Sequence, residues 1–296
     1  MATVLITGTS SGFGDLIART LLQNGYTVAA TMRNIATQNA HEAERLESVA
    51  AETPGTLHLF DLDVTSEASV NSAVEQAISE TGGIDVVVNN AGYGVGGYME
   101  TATDEQVRRQ FDVNVFGVQR VMRAVLPFMR KAKKGLIVNI SSIMGRIVIP
   151  FATAYTATKY ALEGLSESYR YELATTGVDV VIVEPGGFGT NFMANMDYGK
   201  DRDRLKSYGE LADMPKKVWD GILKNLTGEN GPNPWDVADA VLELIETPSG
   251  SRPPRTVVDP LMGGEAPRTI NQTTDRIQAR LLEGMGLKDL LSVKSG

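Results

Sequence analysis

The chain has 296 residues, a formal net charge of −8 and no cysteine. That length suits one large α/β domain with a sizeable core. The acidic balance argues against nucleic acid as a partner, and the lack of thiols excludes a disulfide framework and a thiolate metal site.

The first strand, Thr3–Thr7, starts almost at the first residue, which leaves no room for a signal peptide. It runs into Gly8-Thr9-Ser10-Ser11-Gly12-Phe13-Gly14. Leu16, Ile17, Ala18, Leu21 and Leu22 then recur at helical spacing, and Asn24-Gly25 stops the helix. Strand, glycine loop and helix together predict a phosphate cradle. Gly8 allows the tight turn. Gly12 and Gly14 let the backbone approach a pyrophosphate and the next strand, and the helix N-terminus supplies N–H donors. A glycine turn without a ligand is the competing reading. Further strands are predicted at 26–31, 56–62 and 84–89, the last entered after Gly82-Gly83. His58 falls in the second of these and His41 in a charged helix, so neither is expected to bind metal.

A long helix is predicted at 104–131. The basic run that ends it, Arg130-Lys131-Ala132-Lys133-Lys134, reads as a solvated last turn favoured by the helix dipole. A strand at 136–140, a helix at 153–175, a strand at 178–183 and a last strand at Arg255–Val258 complete the alternation. This predicts a doubly wound parallel sheet, a Rossmann-like three-layer α/β/α fold. Two segments break the pattern. One, 186–234, is too long for a tight connection. The other is the tail after Pro260, with helices expected at 274–283 and 287–291. We therefore divide the chain into one domain, 1–260, which includes a substrate lid at 187–232, and a helical extension, 261–296. No run approaches 18 apolar residues, so no membrane span is expected and a cytoplasmic protein is.

Tyr155 and Lys159 stand four apart on a predicted helix, on one face and within reach of a common ligand. A phenol titrates near pH ~10. A cation beside it favours the phenolate and lowers that value, which makes the pair a proton-transfer device. Ser142 ends the apolar run 137–140 with Ser141, at the carboxyl end of a strand, where ligands bind in open α/β sheets. A loop start or helix cap is the plainer reading of the two serines.

Taken together these residues resemble the short-chain dehydrogenase/reductase family in its compact form. The resemblance runs from Thr3 to about Asp259. It rests on Thr7-Gly8-x-x-x-Gly12-x-Gly14, Asp63-Val64-Thr65, Asn89-Asn90-Ala91-Gly92, Asn114, Ser142, Tyr155-x-x-x-Lys159 and Pro185-Gly186. It implies an oxidoreductase that interconverts a carbonyl and a secondary alcohol by hydride transfer from a nicotinamide cofactor. Tyr155 would be the general acid or base. Lys159 would tune it and hold the nicotinamide ribose. Ser142 would bind the substrate oxygen, and Asn114 would help hold a water joining Lys159 to solvent. Gly8, Ser10, Ser11, Gly12, Phe13 and Gly14 would surround the phosphates. Asn90-Ala91-Gly92 would pack behind the adenine ribose, with Asp63 and Val64 at the adenine edge. Pro185, Gly186 and Thr190 would meet the nicotinamide end. A cofactor-sensing regulator and a sugar-nucleotide epimerase or dehydratase are the other classes this fold admits. The former usually lacks the Tyr-Lys pair, and the latter shows a different glycine spacing.

Cofactor choice turns on the end of the second strand. Met32 occupies the position where an acidic side chain would select a ribose 2′-hydroxyl, and Arg33 follows it. A guanidinium suits a 2′-phosphate, so NADP is expected over NAD. Tyr93, Val95, Ile143, Met144, Ile147, Val148, Ile149, Phe151, Phe188, Phe192, Met193 and Met196 are candidate pocket walls for an apolar ketone or alcohol. Val107, Phe111, Val115, Val118, Met122, Val125 and Met129, with Leu162, Leu165 and Tyr169, form stripes wider than one sheet face can cover. The resemblance pairs these two helices across a twofold axis, so a homodimer or homotetramer is expected.

Overall fold

The computed structural model describes residues 2–293. The chain builds β1 (Thr3–Thr7), α1 (Gly12–Gln23), β2 (Thr27–Met32), α2 (Ala40–Ala51), β3 (Thr56–Asp61), α3 (Glu67–Thr81) and β4 (Val86–Asn89). A short β5 (Val95–Gly96) precedes α4 (Asp104–Phe111), which passes through a π-helical segment, Asp112–Phe116, into α5 (Gly117–Ala132). There follow β6 (Gly135–Ile140), α6 (Thr153–Leu173), β7 (Val178–Pro185), α7 (Asn191–Ala194), β8 (Asp197–Tyr198), α8 (Arg202–Ser207) and α9 (Met214–Leu226). Then come α10 (Trp235–Glu246), β9 (Arg255–Val258), α11 (Glu265–Gly284) and, where a short helix was expected at 287–291, a 3₁₀ turn at Lys288–Leu291.

Seven parallel strands form the main sheet, in the order β3-β2-β1-β4-β6-β7-β9. Both faces are covered, which explains why the strands read as unbroken apolar runs. On β1, Val4 and Ile6 pack with Ile17 and Leu21 of α1, Leu46 of α2 and Val241 of α10. Leu5 points the other way, toward Val74 of α3, Val121 of α5 and Leu162 of α6. The doubly wound three-layer α/β/α fold expected from the sequence is the one observed. Strand order reverses between β1 and β4, and the crevice at their carboxyl ends is where such sheets bind ligands.

The structure departs from the sequence pattern in three further places. The helix expected at 104–131 is broken by its π-helical segment, which carries Asn114. The strand expected from residue 84 begins at Val86, although Asp85 already bonds through its backbone to Thr3 and Leu136 and through its carboxylate to the Thr3 N–H and Lys134. The tail helix starts at Glu265 rather than 274. Its polar first half is held by tertiary bonds: Asn271 Nδ2 donates to the buried Glu184 carboxylate, and Asp275 pairs with Arg255. The 187–232 segment is folded into short elements. Within it β8 pairs in parallel with β5, and the buried Gln106 of α4 bonds to Asp197, Tyr198 and Lys200. Among the described residues no helix is long and apolar enough to cross a membrane, and no group of three or more His, Asp or Glu is arranged to hold a metal.

Candidate active site

The glycine loop follows β1. Gly8 and Gly12 adopt φ of +73° and +61°, a left-handed region that side chains disfavour. The Gly8 and Thr9 N–H groups both donate to the Thr31 carbonyl at 3.0 Å, which fixes the loop against β2. At Gly14 a Cβ would lie 2.2 Å from the Gly8 carbonyl, so only glycine fits. At Gly12 the nearest atom to an added Cβ, on Thr190, is 4.0 Å away, and the space above is open. Asn90 braces the loop from β4: its Nδ2 donates to the Thr7 and Gly8 carbonyls. The Asn90 and Ala91 N–H groups donate to Thr7 Oγ1. Ser11 starts α1 without giving it a side-chain hydrogen bond, so the first-turn N–H groups face the loop uncapped. Backbone donors, a positive helix end and an open floor fit a pyrophosphate.

Ser142 ends β6. Its Oγ accepts from the Met144 N–H at 3.1 Å and lies 3.4 Å from the Pro185 carbonyl. It also hydrogen-bonds the Tyr155 phenol. Lys159, one turn further along α6, lies with Nζ 5.5 Å from the centre of the Tyr155 ring and donates to the Ile140 carbonyl at 2.8 Å. Burial pushes the Tyr155 phenol up to about 12, against the opposing Ser142 bond. The sequence pattern alone suggested a phenol lowered by its lysine. Burial outweighs the opposing Ser142 interaction instead. Burial pulls Lys159 down to about 8, and the Glu163 carboxylate opposes that shift. Tyr155 is therefore a neutral phenol at pH 7, with a proton to give.

A cavity of about 410 Å³ joins the two halves. Of the residues expected at the site, Gly8, Ser10, Ser11, Gly12, Phe13, Asn90, Ala91, Gly92, Ser142, Tyr155, Lys159, Pro185, Gly186 and Thr190 line it. Five do not. Gly14 is packed beneath the loop. Asn114 spends its amide on the Tyr93 backbone and Thr158 Oγ1, so its side chain secures the loop after β4. Asp63 accepts from the Thr65 N–H and hydroxyl, and Val64 is buried against Gly117. Arg33 is exposed at the end of β2, beside a loop whose Asn34 N–H donates to Asp61.

The apolar wall comes from Tyr93, Ile143, Met144, Ile149, Phe188, Phe192, Met193 and Met196, as expected. Ile147 and Phe151 pack behind it, Val95 is buried elsewhere, and Val148 is 72% exposed. Trp219, Ile222 and Leu226 of α9, with Leu261 and Met262 of the tail, complete the wall. Sequence reasoning missed them, although Trp219, Ile222 and Leu226 stand at i, i+3 and i+7. It also missed a buried ion cluster behind Lys159. There Arg255 pairs with Glu163 at 2.9 Å and with Glu184 at 3.5 Å. Glu184 directly precedes Pro185-Gly186, and burial with the Glu163 charge raises its carboxyl to about 7. A glutamate after the apolar run Val180–Val183 was the available signal.

Residues 2–201 match the family model for short chain dehydrogenases. The chain belongs to the short-chain dehydrogenase/reductase family. It is 38% identical over 265 residues to a 3-ketodihydrosphingosine reductase of Bacteroides thetaiotaomicron, covering 88% of each chain. A short-chain dehydrogenase from Streptomyces avermitilis superposes with a TM-score of 0.74 at 31% identity, over 97% of this chain and 98% of that one. A variant of the actinorhodin polyketide ketoreductase with NADPH gives 0.71 at 27% identity, over 90% and 97%. This dehydrogenase/reductase is thus an NAD(P)-dependent oxidoreductase acting on carbonyl and alcohol groups.

Proposed function

We propose that this dehydrogenase/reductase reduces a ketone carried on a long apolar molecule, with NADPH as cofactor and Tyr155 as proton donor. One observation carries the reading: a single cavity joins the glycine cradle and Ser142, Tyr155 and Lys159 to an apolar wall. Similarity to a 3-ketodihydrosphingosine reductase supports an apolar ketone. The cofactor would be held by the loop from Gly8 to Gly14, by Asn90-Ala91-Gly92 and by Pro185, Gly186 and Thr190. When bound, it supplies the hydride. Ser142 hydrogen-bonds the ketone oxygen and stabilises the negative charge that develops there. Tyr155, a neutral phenol at pH 7, gives its proton to that oxygen. The Lys159 ammonium holds ribose hydroxyls and offsets the charge left on the phenol. Apolar walls exclude competing water. Arg33, with no acidic residue at position 32, supports the 2′-phosphate cofactor over NAD.

The test is NADPH oxidation against ketones of increasing chain length, with NADH in parallel, for the wild type and Tyr155→Phe. We expect longer apolar ketones to turn over best with NADPH, and the variant to fall by at least ~10²-fold with its cofactor affinity kept. Wild-type turnover in Tyr155→Phe would sink the assignment.

A further inference from the structure

Phe151 has a backbone φ of +65°, a left-handed conformation that an aromatic residue rarely adopts. Among the described residues two other non-glycine residues share the sign, and each has a local excuse. Asn34 is a residue type that tolerates this region, and Lys133 ends a helix. Phe151 has no such excuse and stands four residues before Tyr155. A conformation of this kind persists only where the surroundings over-determine it. Here its carbonyl accepts two hydrogen bonds, from the Gly97 N–H at 2.9 Å and from the Trp219 indole Nε1 at 3.1 Å. Its ring meets Tyr98 edge-on, with centroids 5.4 Å apart.

The two donors come from different parts of the chain. Gly97 directly follows β5. Trp219 is 6% exposed and lies on α9, within the segment that the sequence set apart as a substrate lid. On the other side of Phe151, Ala152 is the N-cap of α6 and its carbonyl accepts the Thr156 N–H at 2.8 Å. Ile149, Ala152 and Tyr155 all line the cavity. The strained residue thus links α9 to the first turn of the helix that carries the phenol.

We propose that Trp219 is a positioning residue: its indole N–H, through the Phe151 carbonyl, holds the start of α6 and so the orientation of Tyr155. The inference rests on the proton-donor role of Tyr155 given above. Without the indole N–H, one donor must hold the left-handed peptide alone. The strained state is then depopulated by roughly tenfold against extended alternatives. Ala152 and the first turn of α6 move with it. Substrate still enters, because the ring of a replacement phenylalanine keeps the wall apolar, but the phenol is aimed less often.

Trp219→Phe removes the donor and keeps an aromatic ring. Phe151→Gly makes the same φ accessible without strain. The variants Trp219→Phe, Phe151→Gly and the double are compared with the wild type and Tyr155→Phe. We expect Trp219→Phe to lower kcat by about five- to twenty-fold with KM for NADPH unchanged, and the double variant to recover most of that loss. Hydrogen exchange of cofactor-free protein gives a readout that needs no turnover. Peptides spanning 95–100 and 149–158 should exchange faster in Trp219→Phe. Exchange there should be unchanged in Tyr155→Phe. A Trp219→Phe variant with wild-type kcat, or with wild-type exchange in both peptides, overturns the proposal. So does a change confined to KM for the ketone, which would make Trp219 a pocket wall only. If instead Tyr155→Phe keeps full activity, the proton-donor reading fails, while the exchange data still decide whether Trp219 holds Phe151.

Discussion

Lys159→Met should stabilise the cofactor-free enzyme at pH 7 while weakening its hold on the cofactor. Lys159 is 7% exposed, and burial lowers its ammonium from 10.5 to about 8. Keeping it charged at pH 7 therefore costs the fold about 3 kcal/mol relative to the unfolded chain, at ~1.36 kcal/mol per pKa unit. Methionine fills a similar volume without a charge. It also forfeits the bond to the Ile140 carbonyl, which returns roughly 1 kcal/mol. The net gain is about 1–2 kcal/mol. Its pH dependence is the sharper part. Between pH 8 and 10.5 the unfolded wild type still holds its lysine proton and the folded one has released it. The unfolded state binds more protons there, so wild-type stability rises with pH and the advantage of the variant shrinks. Urea unfolding of both proteins without cofactor, at pH 7 and at pH 10, measures this. A difference that is the same at both pH values, or a variant less stable at pH 7, refutes the reasoning. With NADPH added the order should reverse, because the ligand stabilises the wild type more.

Arg33→Ala should weaken NADPH far more than NADH, by ~1.5–3 kcal/mol for a lost charge-assisted bond, and equal losses in titrations of both cofactors would make Arg33 an adenine-stacking residue instead. The chain should sediment as a homo-oligomer. Val118, Met122, Val125 and Met129 are consumed by the core, so the contact would rest on Phe116, Phe128 and Tyr160, which are 53%, 45% and 44% exposed. Phe116→Glu should then dissociate it, and a wild type found only as a 31.9 kDa species would reject the idea. The 187–232 segment should be protected from hydrogen exchange when NADP(H) and a substrate analogue bind. Equal protection with and without them would make it a rigid insertion.

The glycine loop and the Tyr155–Lys159 pair could be read directly because each is a local pattern: a few residues of fixed spacing define strand, turn and helix. Asn90 could be read in part, since its brace on Thr7 depends on β4 lying beside β1. What local pattern could not give was the outcome of burial. Nothing in Tyr155-x-x-x-Lys159 says that both side chains are buried in the wall of the cavity, and so the phenol was expected to fall rather than rise. The walls were half legible for a similar reason. An apolar residue after a strand faces either core or pocket, and Val148, in a run of good candidates, faces solvent. Trp219 and Met262 reach the cavity from elements more than 60 residues beyond Tyr155, through packing that no spacing encodes.

Local rules fail most visibly around one point. Lys159 is a buried ammonium, Glu184 is a carboxyl raised toward neutrality, and Phe151 is an aromatic residue with a positive φ. Each is unfavourable alone, and each lies beside Tyr155 or one element away from it. Buried polar side chains away from the site still pair, as where Asn89 Nδ2 donates to Asn139 Oδ1 and Asn139 Nδ2 to Ser166 Oγ, although Asn89 Oδ1 and Gln110 Oε1 accept no hydrogen bond from the described residues. Such clustering is expected where function rather than stability has set the residues. The phenol is neutral at pH 7 even without burial; what burial adds is a lysine that shares the dry site and carries the cost of its charge. That cost is borne by the packed β-sheet core beneath. Removing the charge of Lys159 should make the protein more stable and a poorer enzyme, whereas relieving the strain at Phe151 with glycine should leave the aim of the phenol intact.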